Sequence, residues 1–173
     1  FIYVLNRPAF GSTFFNSFLV STLTVLFCLL IALTASYALG RIQFKGRTVL
    51  LLGILGTSMF PQVAILSGMF ELVRSLGVYN TYQGLIMSYV VFSLPFTVWI
   101  LTAFIRDLPI EIEEAAMVDG ANSYVILFKV FLPLMWPAMV TTGILAFIGA
   151  WNEFLFALTL TTVSYTHLTL PTT

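Results

Sequence analysis

Long apolar stretches separated by short polar segments dominate the hydrophobic pattern of this chain. Four stretches are long enough to cross the membrane, since a helix needs roughly 20 mostly apolar residues to cross about 30 Å of hydrocarbon. They cover about residues 14–39, 49–70, 84–105 and 134–153. The pattern therefore predicts an all-α fold, a polytopic bundle of about four transmembrane helices.

Prolines interrupt two of these predicted spans, Pro61 in the second and Pro95 in the third. Proline lacks a backbone donor, and its ring clashes with the preceding turn of a helix. We therefore expect the second helix to kink near Met59 or Phe60, where neighbouring helices must satisfy the freed carbonyl group.

The last part of the apolar pattern does not fit a single span. It runs from Leu134 to about Val163, which is too long for one helix and too short for two. The residues 164–173 that follow are rich in threonine, lack helical periodicity and resemble the translated read-through of a sequencing adapter, although Leu170-Pro171 would also suit a natural loop. We expect residues 1–163 to form the membrane domain and 164–173 to be a doubtful, non-native tail.

Composition agrees with a protein embedded in lipid. Hydrophobic residues make up 60% of the chain and charged residues 8%, with a mean hydropathy of +1.03, whereas about a quarter of the residues of a soluble domain are charged. The net charge is zero, so the chain has no basic footprint for nucleic acid. We expect no metal site and no catalytic residues.

Half of the fourteen charged residues fall between the third and fourth predicted spans. They are Arg106, Asp107, Glu111, Glu113, Glu114, Asp119 and Lys129. The Lys and Arg residues of short loops indicate which loops face the cytoplasm, and five of the seven lie on the side of this segment. The 109–120 segment is therefore predicted to be cytoplasmic, with both chain termini outside.

The charged segment has the pattern of a short helix at about 109–120. Pro109 suits the start of a helix, the glutamates that follow it are favoured by the helix dipole, and Gly120 can adopt the left-handed conformation that closes a helix. Ala115 and Ala116 give the helix a flat face that another surface can approach closely. We interpret this helix as a docking surface.

The same segment resembles a family signature. Glu114-Ala115-Ala116, followed after three residues by Gly120 and after nine more by Val130-x-Leu132-Pro133, is similar to the EAA motif in the permease subunits of binding-protein-dependent ABC importers, with valine where isoleucine is usual. Pro109-x-Glu111-Ile112-Glu113-Glu114, Asp119-Gly120-Ala121 and Trp151-Asn152-Glu153-Phe154 resemble the carbohydrate, maltose-type branch.

The resemblance implies a permease of six spans, of which the first and last are missing here. It implies that the short helix is a cytoplasmic coupling helix that docks on an ATPase subunit. The coupling residues would be Glu111, Glu113, Glu114, Ala115, Ala116, Asp119, Gly120, Leu132 and Pro133. The chain has no Gly-x-x-x-x-Gly-Lys-Ser/Thr loop, so it would bind no cofactor directly, and the partner ATPase would use the ATP.

The expected partners in a prokaryotic inner membrane are a second permease chain, two cytoplasmic ATPase subunits, an extracytoplasmic solute-binding protein, the sugar and the bilayer. We expect this chain to be a transport subunit and not an enzyme.

One alternative is an importer of the same class for an amino acid, a polyamine or a phosphate ester. A secondary transporter would be expected to use several intramembrane ionisable residues for ion coupling, whereas Glu153 is the one carboxylate in an apolar stretch.

Glu153 has two interpretations. A charged side chain near the centre of a bilayer costs on the order of 3 kcal/mol on insertion scales, so Glu153 must face a cavity, a partner or the membrane surface. Either Trp151, Asn152 and Glu153 line the substrate path, or Glu153 ends the span at the outer surface with Trp151 as an interfacial anchor.

Overall fold

The computed structural model describes residues 10–161, and regular structure in this part of the chain is helical throughout. The expected tail, 164–173, lies outside the described residues. The helices are α1 (Phe10–Gly40), α2 (Arg47–Thr57), α3 (Gln62–Ser75), α4 (Tyr82–Asp107), α5 (Ile110–Val118), α6 (Ser123–Leu134), α7 (Trp136–Trp151) and α8 (Leu155–Leu160). A π-helical stretch, Ile126–Phe131, lies inside α6. The predicted all-α fold is confirmed.

Two helices, α1 and α4, are long and apolar enough to cross a membrane, and two bent helix pairs bring the number of possible spans to four. α4 continues through Pro95, so this proline does not interrupt the third span as predicted. α1 and α4 pack side by side and run in the same direction. Cys28 Sγ lies 3.5 Å from Thr97 Oγ1, and near the ends of both helices Arg106 Nη2 donates to the Leu39 carbonyl oxygen at 3.1 Å. The paired residues are 69 and 67 positions apart, which fixes a parallel register.

Small polar residues line the buried faces of α1 and α4. The hydroxyl groups of four of them donate to carbonyl oxygens of their own helix, as Ser36 does to Leu33 at 2.9 Å and Thr102 to Val98 at 2.6 Å. Thr24 Oγ1 is buried without a hydrogen-bond partner among the described residues. Small side chains let apolar helices approach closely. The buried members of this set are Ser21, Thr24, Ser36, Ser88, Thr97 and Thr102.

The second predicted span is broken into α2 and α3, which meet at 95°. The break falls where the kink was expected, but it is a complete interruption and not a bend in one helix. Met59 and Phe60 donate to the carbonyl oxygens three residues back in a tightened turn. Pro61 then takes an extended conformation, with ψ 130°, and α3 starts at the next residue.

The last apolar stretch, which is too long for one span and too short for two, forms α7 and the short α8. α7 lies antiparallel to α1, since the rings of Phe18 and Phe147 meet edge to face with centroids 5.9 Å apart and those of Phe14 and Trp151 do so at 5.3 Å. Beyond a break at residues 152–154, α8 is tied to the start of α4 by the bond from Asn80 N to the Leu160 carbonyl oxygen, at 3.0 Å.

The start of α4 leaves no room for a side chain at Gly84. A Cβ there would lie 2.5 Å from the carbonyl oxygen of Val78 and 3.1 Å from Val73. The Val78 carbonyl cannot retreat freely because it accepts a bond from Thr81 Oγ1 at 2.7 Å. We expect Gly84→Ala to destabilise the protein by about 1–3 kcal/mol, measured as a lower apparent melting temperature in detergent.

Gly68, in the middle of α3, is the matched control. A Cβ at Gly68 would meet nothing within 4 Å, and alanine is a better helix former than glycine by roughly 0.5–1 kcal/mol. Gly68→Ala should therefore be neutral or stabilising. Equal melting temperatures for the two alanine variants would contradict the close approach at Gly84.

Candidate functional site

The predicted 109–120 helix is observed as α5, Ile110–Val118, with Pro109 as its N-terminal cap. Gly120 has φ +81° and takes the left-handed position after the helix end. Gly120 N donates to the Met117 carbonyl oxygen at 3.0 Å, and Ala121 N donates to the Ala116 carbonyl oxygen at 2.9 Å. These two bonds form a Schellman motif, which gives the last turn of α5 a fixed end.

One face of α5 is open. Glu114 and Ala115 are exposed, and beside them Met117 and Val118 are 53% and 88% exposed. Ala116 is half-buried and packs against the core formed by α1, α4 and α6. The face therefore combines carboxylate groups, a small residue and exposed apolar side chains. The remaining predicted coupling residues on this segment, Glu111, Asp119 and Gly120, are also exposed.

Glu113 lies on the opposite face from these residues. It is 7% exposed, accepts a hydrogen bond from Tyr37 Oη at 3.1 Å and forms an ion pair with Arg41 Nε at 3.5 Å. The prediction grouped Glu113 with its exposed neighbours, whereas the structure turns its carboxylate inward, toward the end of α1.

Arg41 connects Glu113 to the rest of this end of the bundle. Its Nη2 donates to the Leu108 carbonyl oxygen at 2.6 Å, and its guanidinium lies 5.2 Å from the centroid of the Phe131 ring. Neither Tyr37 nor Arg41 was predicted to be a site residue. Their four-residue spacing at the end of an apolar span, which places both side chains on one helix face, is the signal that could have found them.

Leu132 and Pro133, the last two predicted coupling residues, lie in α6 directly after the π-helical stretch. Leu132 is partly buried against the core, and Pro133 is exposed. α6 begins at a cap in which Asn122 Oδ1 accepts a bond from Val125 N at 3.0 Å. Leu132 therefore joins α6 to the bundle, and Pro133 precedes the 77° bend into α7.

Glu153 lies at a second polar site, at the break between α7 and α8. Its Oε1 accepts bonds from Leu155 N at 3.0 Å and Phe156 N at 3.3 Å, which caps α8. Its Oε2 accepts a bond from Gln62 Nε2 at 2.8 Å, and its carbonyl oxygen accepts one from Tyr89 Oη at 3.3 Å. Glu153 thus ties the α7–α8 break to the α2–α3 break.

Two cavities of about 580 Å³ and 800 Å³ meet at Glu153, and Tyr89 and Ala150 also line both. Gln62 lines the smaller cavity and Trp151 the larger. Asn152 lines neither of these two cavities. Within residues 10–161 no group of three or more His, Cys, Asp or Glu could hold a metal ion.

These features define an α-helical membrane protein with a partly exposed short helix at one end of its bundle and two cavities that meet at Glu153, beside its helix breaks. A family model for the binding-protein-dependent transport system inner membrane component matches residues 16–171. The chain belongs to this family, whose members are multi-pass inner membrane proteins of transport systems.

Curated relatives are similar over most of this chain. The trehalose/maltose transport system permease protein MalG of Thermococcus litoralis is 42% identical over 94% of the chain and 59% of the relative. The sulfoquinovosyl glycerol transport system permease protein SmoH of Agrobacterium fabrum is 44% identical over 83% and 50%. The trehalose transport system permease protein SugB of Mycobacterium tuberculosis is 38% identical over 91% and 58%. The chain spans between half and three-fifths of the length of these relatives.

A solved structure has the same fold. It is a chain of a bacterial ABC transporter involved in the import of the acidic polysaccharide alginate, with 27% sequence identity and a TM-score of 0.81. The match covers 93% of this chain and 56% of the solved chain. The helix arrangement described above is therefore shared with a chain of a transporter.

Proposed function

We propose that this chain is the transmembrane permease subunit of an ATP-driven sugar importer and that it couples to a cytoplasmic ATPase through α5. The observation that carries the proposal is the exposed face of α5, which presents Glu114 and Ala115 in a helix closed by the Gly120 turn. The outer face of α5 packs against nothing else within residues 10–161, and exposed apolar side chains such as Met117 and Val118 at the end of the helix are typical of a surface that binds another protein.

The family supports the following partners. α5 faces the cytoplasm and docks on one of two ATPase subunits, which bind and hydrolyse the ATP. A second permease chain completes the path through the inner membrane, and an extracytoplasmic binding protein delivers the sugar. The basic residues near the end of α1, Arg41, Lys45 and Arg47, support this orientation.

A sugar is the substrate class that the relatives favour, since their names include trehalose, maltose and sulfoquinovosyl glycerol. The polar groups at the two cavities suit the same class. Gln62, Tyr89 and Glu153 place amide, hydroxyl and carboxylate groups beside aromatic rings, and a hydroxyl-rich solute needs donors and acceptors along its path. We propose that this part of the chain lines the substrate path.

Uptake by the assembled transporter in proteoliposomes tests the function. Radiolabelled trehalose and maltose should accumulate only with ATP inside and binding protein outside, and a non-hydrolysable ATP analogue should abolish accumulation. An amino acid, a polyamine and a phosphate ester serve as comparison solutes. Accumulation of one of these in place of both sugars would refute the sugar assignment, and uptake without ATP would refute the importer class.

Gly120 provides a direct test of the docking helix. A Cβ at Gly120 would meet nothing within 4 Å, but the φ of +81° is strained for other residues, at roughly 1–2 kcal/mol. We expect Gly120→Val to disturb the end of α5 and to lower the amount of sugar moved per ATP by about fivefold or more.

Gly120→Asn is the matched variant, because asparagine tolerates the left-handed conformation better than other non-glycine residues. It should retain most of the transport activity of the wild type. Unchanged sugar uptake by Gly120→Val would contradict the role of this turn.

A further inference from the structure

Two neighbouring glutamates of α5 have opposite environments. Glu114 is exposed, whereas Glu113 is the one buried residue of this helix, all nine residues of which are described. Burial of a carboxylate is unfavourable unless the charge is paired and hydrogen-bonded. The partners of Glu113 therefore identify what holds α5 to the bundle.

Both carboxylate oxygens of Glu113 have a partner at the end of α1. Oε1 accepts the hydrogen bond from Tyr37 Oη at 3.1 Å, and Oε2 lies 3.5 Å from Arg41 Nε. The backbone N of Arg41 donates to the Tyr37 carbonyl oxygen at 2.9 Å, so the last helical turn holds the two partners on one face. The carboxylate is thus held by two groups of α1 that move together.

Arg41 extends the connection to the elements on either side of α5. It bonds to the carbonyl group of Leu108, in the link between α4 and α5, and its guanidinium faces the ring of the fully buried Phe131 in α6. Tyr37 also packs against Phe131, with ring centroids 5.7 Å apart. One charged cluster therefore contacts α1, α5, α6 and the α4–α5 link.

We propose that Glu113 is the positioning residue that couples α5 to α1, so that a displacement of the docking helix moves α1. The proposal rests on the docking function proposed for α5. A charge pair shielded from water resists separation, because either partner alone would be a buried, uncompensated charge. Glu113 does this from the inner face of α5, while Glu114 and Ala115 on the outer face remain free to meet the ATPase.

The test uses the assembled transporter in proteoliposomes with the conservative variant Glu113→Gln. The ATPase should still bind and hydrolyse ATP, because the outer face of α5 is unchanged, but the sugar moved per ATP should fall about tenfold. Glu71→Gln makes the same chemical change at an exposed position on α3 and should keep the wild-type ratio. A wild-type ratio in Glu113→Gln would overturn the proposal.

A distance measurement tests the connection between α5 and α1 without reference to the transported solute. Spin labels would replace Ile110 on α5 and Ile31 on α1, which are 52% and 46% exposed, while the fully buried Cys28 stays unlabelled. In the wild type, the distribution of label-to-label distances should stay narrow and unchanged when ATP is added. In Glu113→Gln, ATP should broaden this distribution. Equal distance distributions in the wild type and in Glu113→Gln would overturn the coupling of α5 to α1. This result does not depend on the transported solute, so it stands apart from the test of the sugar assignment.

A double-mutant cycle shows whether the charge pair itself is responsible. Arg41→Gln should impair coupling as Glu113→Gln does, and the double variant should lose little more than either single variant, because each single change already breaks the pair. Tyr37→Phe removes one hydrogen bond to Glu113 and should lower the sugar moved per ATP about two- to tenfold. If the charge variants fail to reach the membrane, this variant provides the test of the coupling. Additive effects in the cycle would contradict the proposal.

Discussion

Glu153→Ala should cause a large loss of stability, because it releases the contacts that hold two helix breaks together. The Glu153 carboxylate accepts three hydrogen bonds, one from Gln62 and two from the first backbone N–H groups of α8. Hydrogen bonds to charged groups contribute roughly 1.5–3 kcal/mol each. We expect a loss of about 3 kcal/mol or more and a fall of roughly 10 °C in the apparent melting temperature, measured in detergent.

Glu153→Gln is the matched control for this prediction. A glutamine keeps an acceptor for the α8 backbone, and rotation of the Gln62 amide by 180° would turn its oxygen toward the new amide nitrogen. The variant should therefore retain most of the stability that Glu153→Ala loses. A melting temperature for Glu153→Ala equal to that of the wild type would show that the two helix breaks are held by other contacts.

The same pair of variants separates the two interpretations of Glu153. Normal uptake and sugar preference in Glu153→Gln would favour the interfacial anchor, whereas altered preference would favour a position on the substrate path. Tyr89 stands seven residues into α4, about 10 Å along that helix, and it bonds to the Glu153 carbonyl group. We expect altered preference, because this places Glu153 inside the bundle, beside both cavities.

The long apolar helices α1 and α4 could be predicted from the sequence because hydrocarbon thickness sets the length of an apolar run that crosses the membrane. The position of the α2–α3 break was also predictable, since Pro61 has no backbone N–H group with which to continue the hydrogen bonds of α2. The 95° angle was not, because it depends on the extended ψ of Pro61 and on the bond between Gln62 and Glu153, which are 91 positions apart. Hydrophobic periodicity contains no information on such a pairing.

The ends of α5 were predictable for a similar local reason. Pro109 and Gly120 act through their own backbone conformations, so one segment of sequence is enough to place them. The inward orientation of Glu113 was not predicted, because its partners, Tyr37 and Arg41, come from a helix more than 70 positions earlier. Helical phase was the unused signal: Glu113 lies three residues before the half-buried Ala116, on the same face.

Ala115→Trp should abolish binding of the ATPase to this permease. Ala115 is exposed on the outer face of α5, where a methyl group lets another surface approach closely. An indole at this position would occupy the space that the partner needs, and the permease fold would be undisturbed because the side chain points away from the core. We expect affinity for the ATPase to fall by at least about 30-fold, the scale of an interface hot spot, in a pull-down with the ATPase subunit.

Ala103→Trp is the control, since Ala103 is exposed on α4 outside the proposed docking surface, and it should bind the ATPase normally. The substitution is sharper than deletion of 109–121, which would also remove Glu113 and the packing of Ala116 and could therefore unfold this end of the bundle. If Ala115→Trp binds as well as Ala103→Trp, α5 is a connecting helix without a partner. If Ala115→Trp alone loses the ATPase while its melting temperature is unchanged, the outer face of α5 is the docking surface, and the effect of Glu113→Gln on transport must then arise inside the permease.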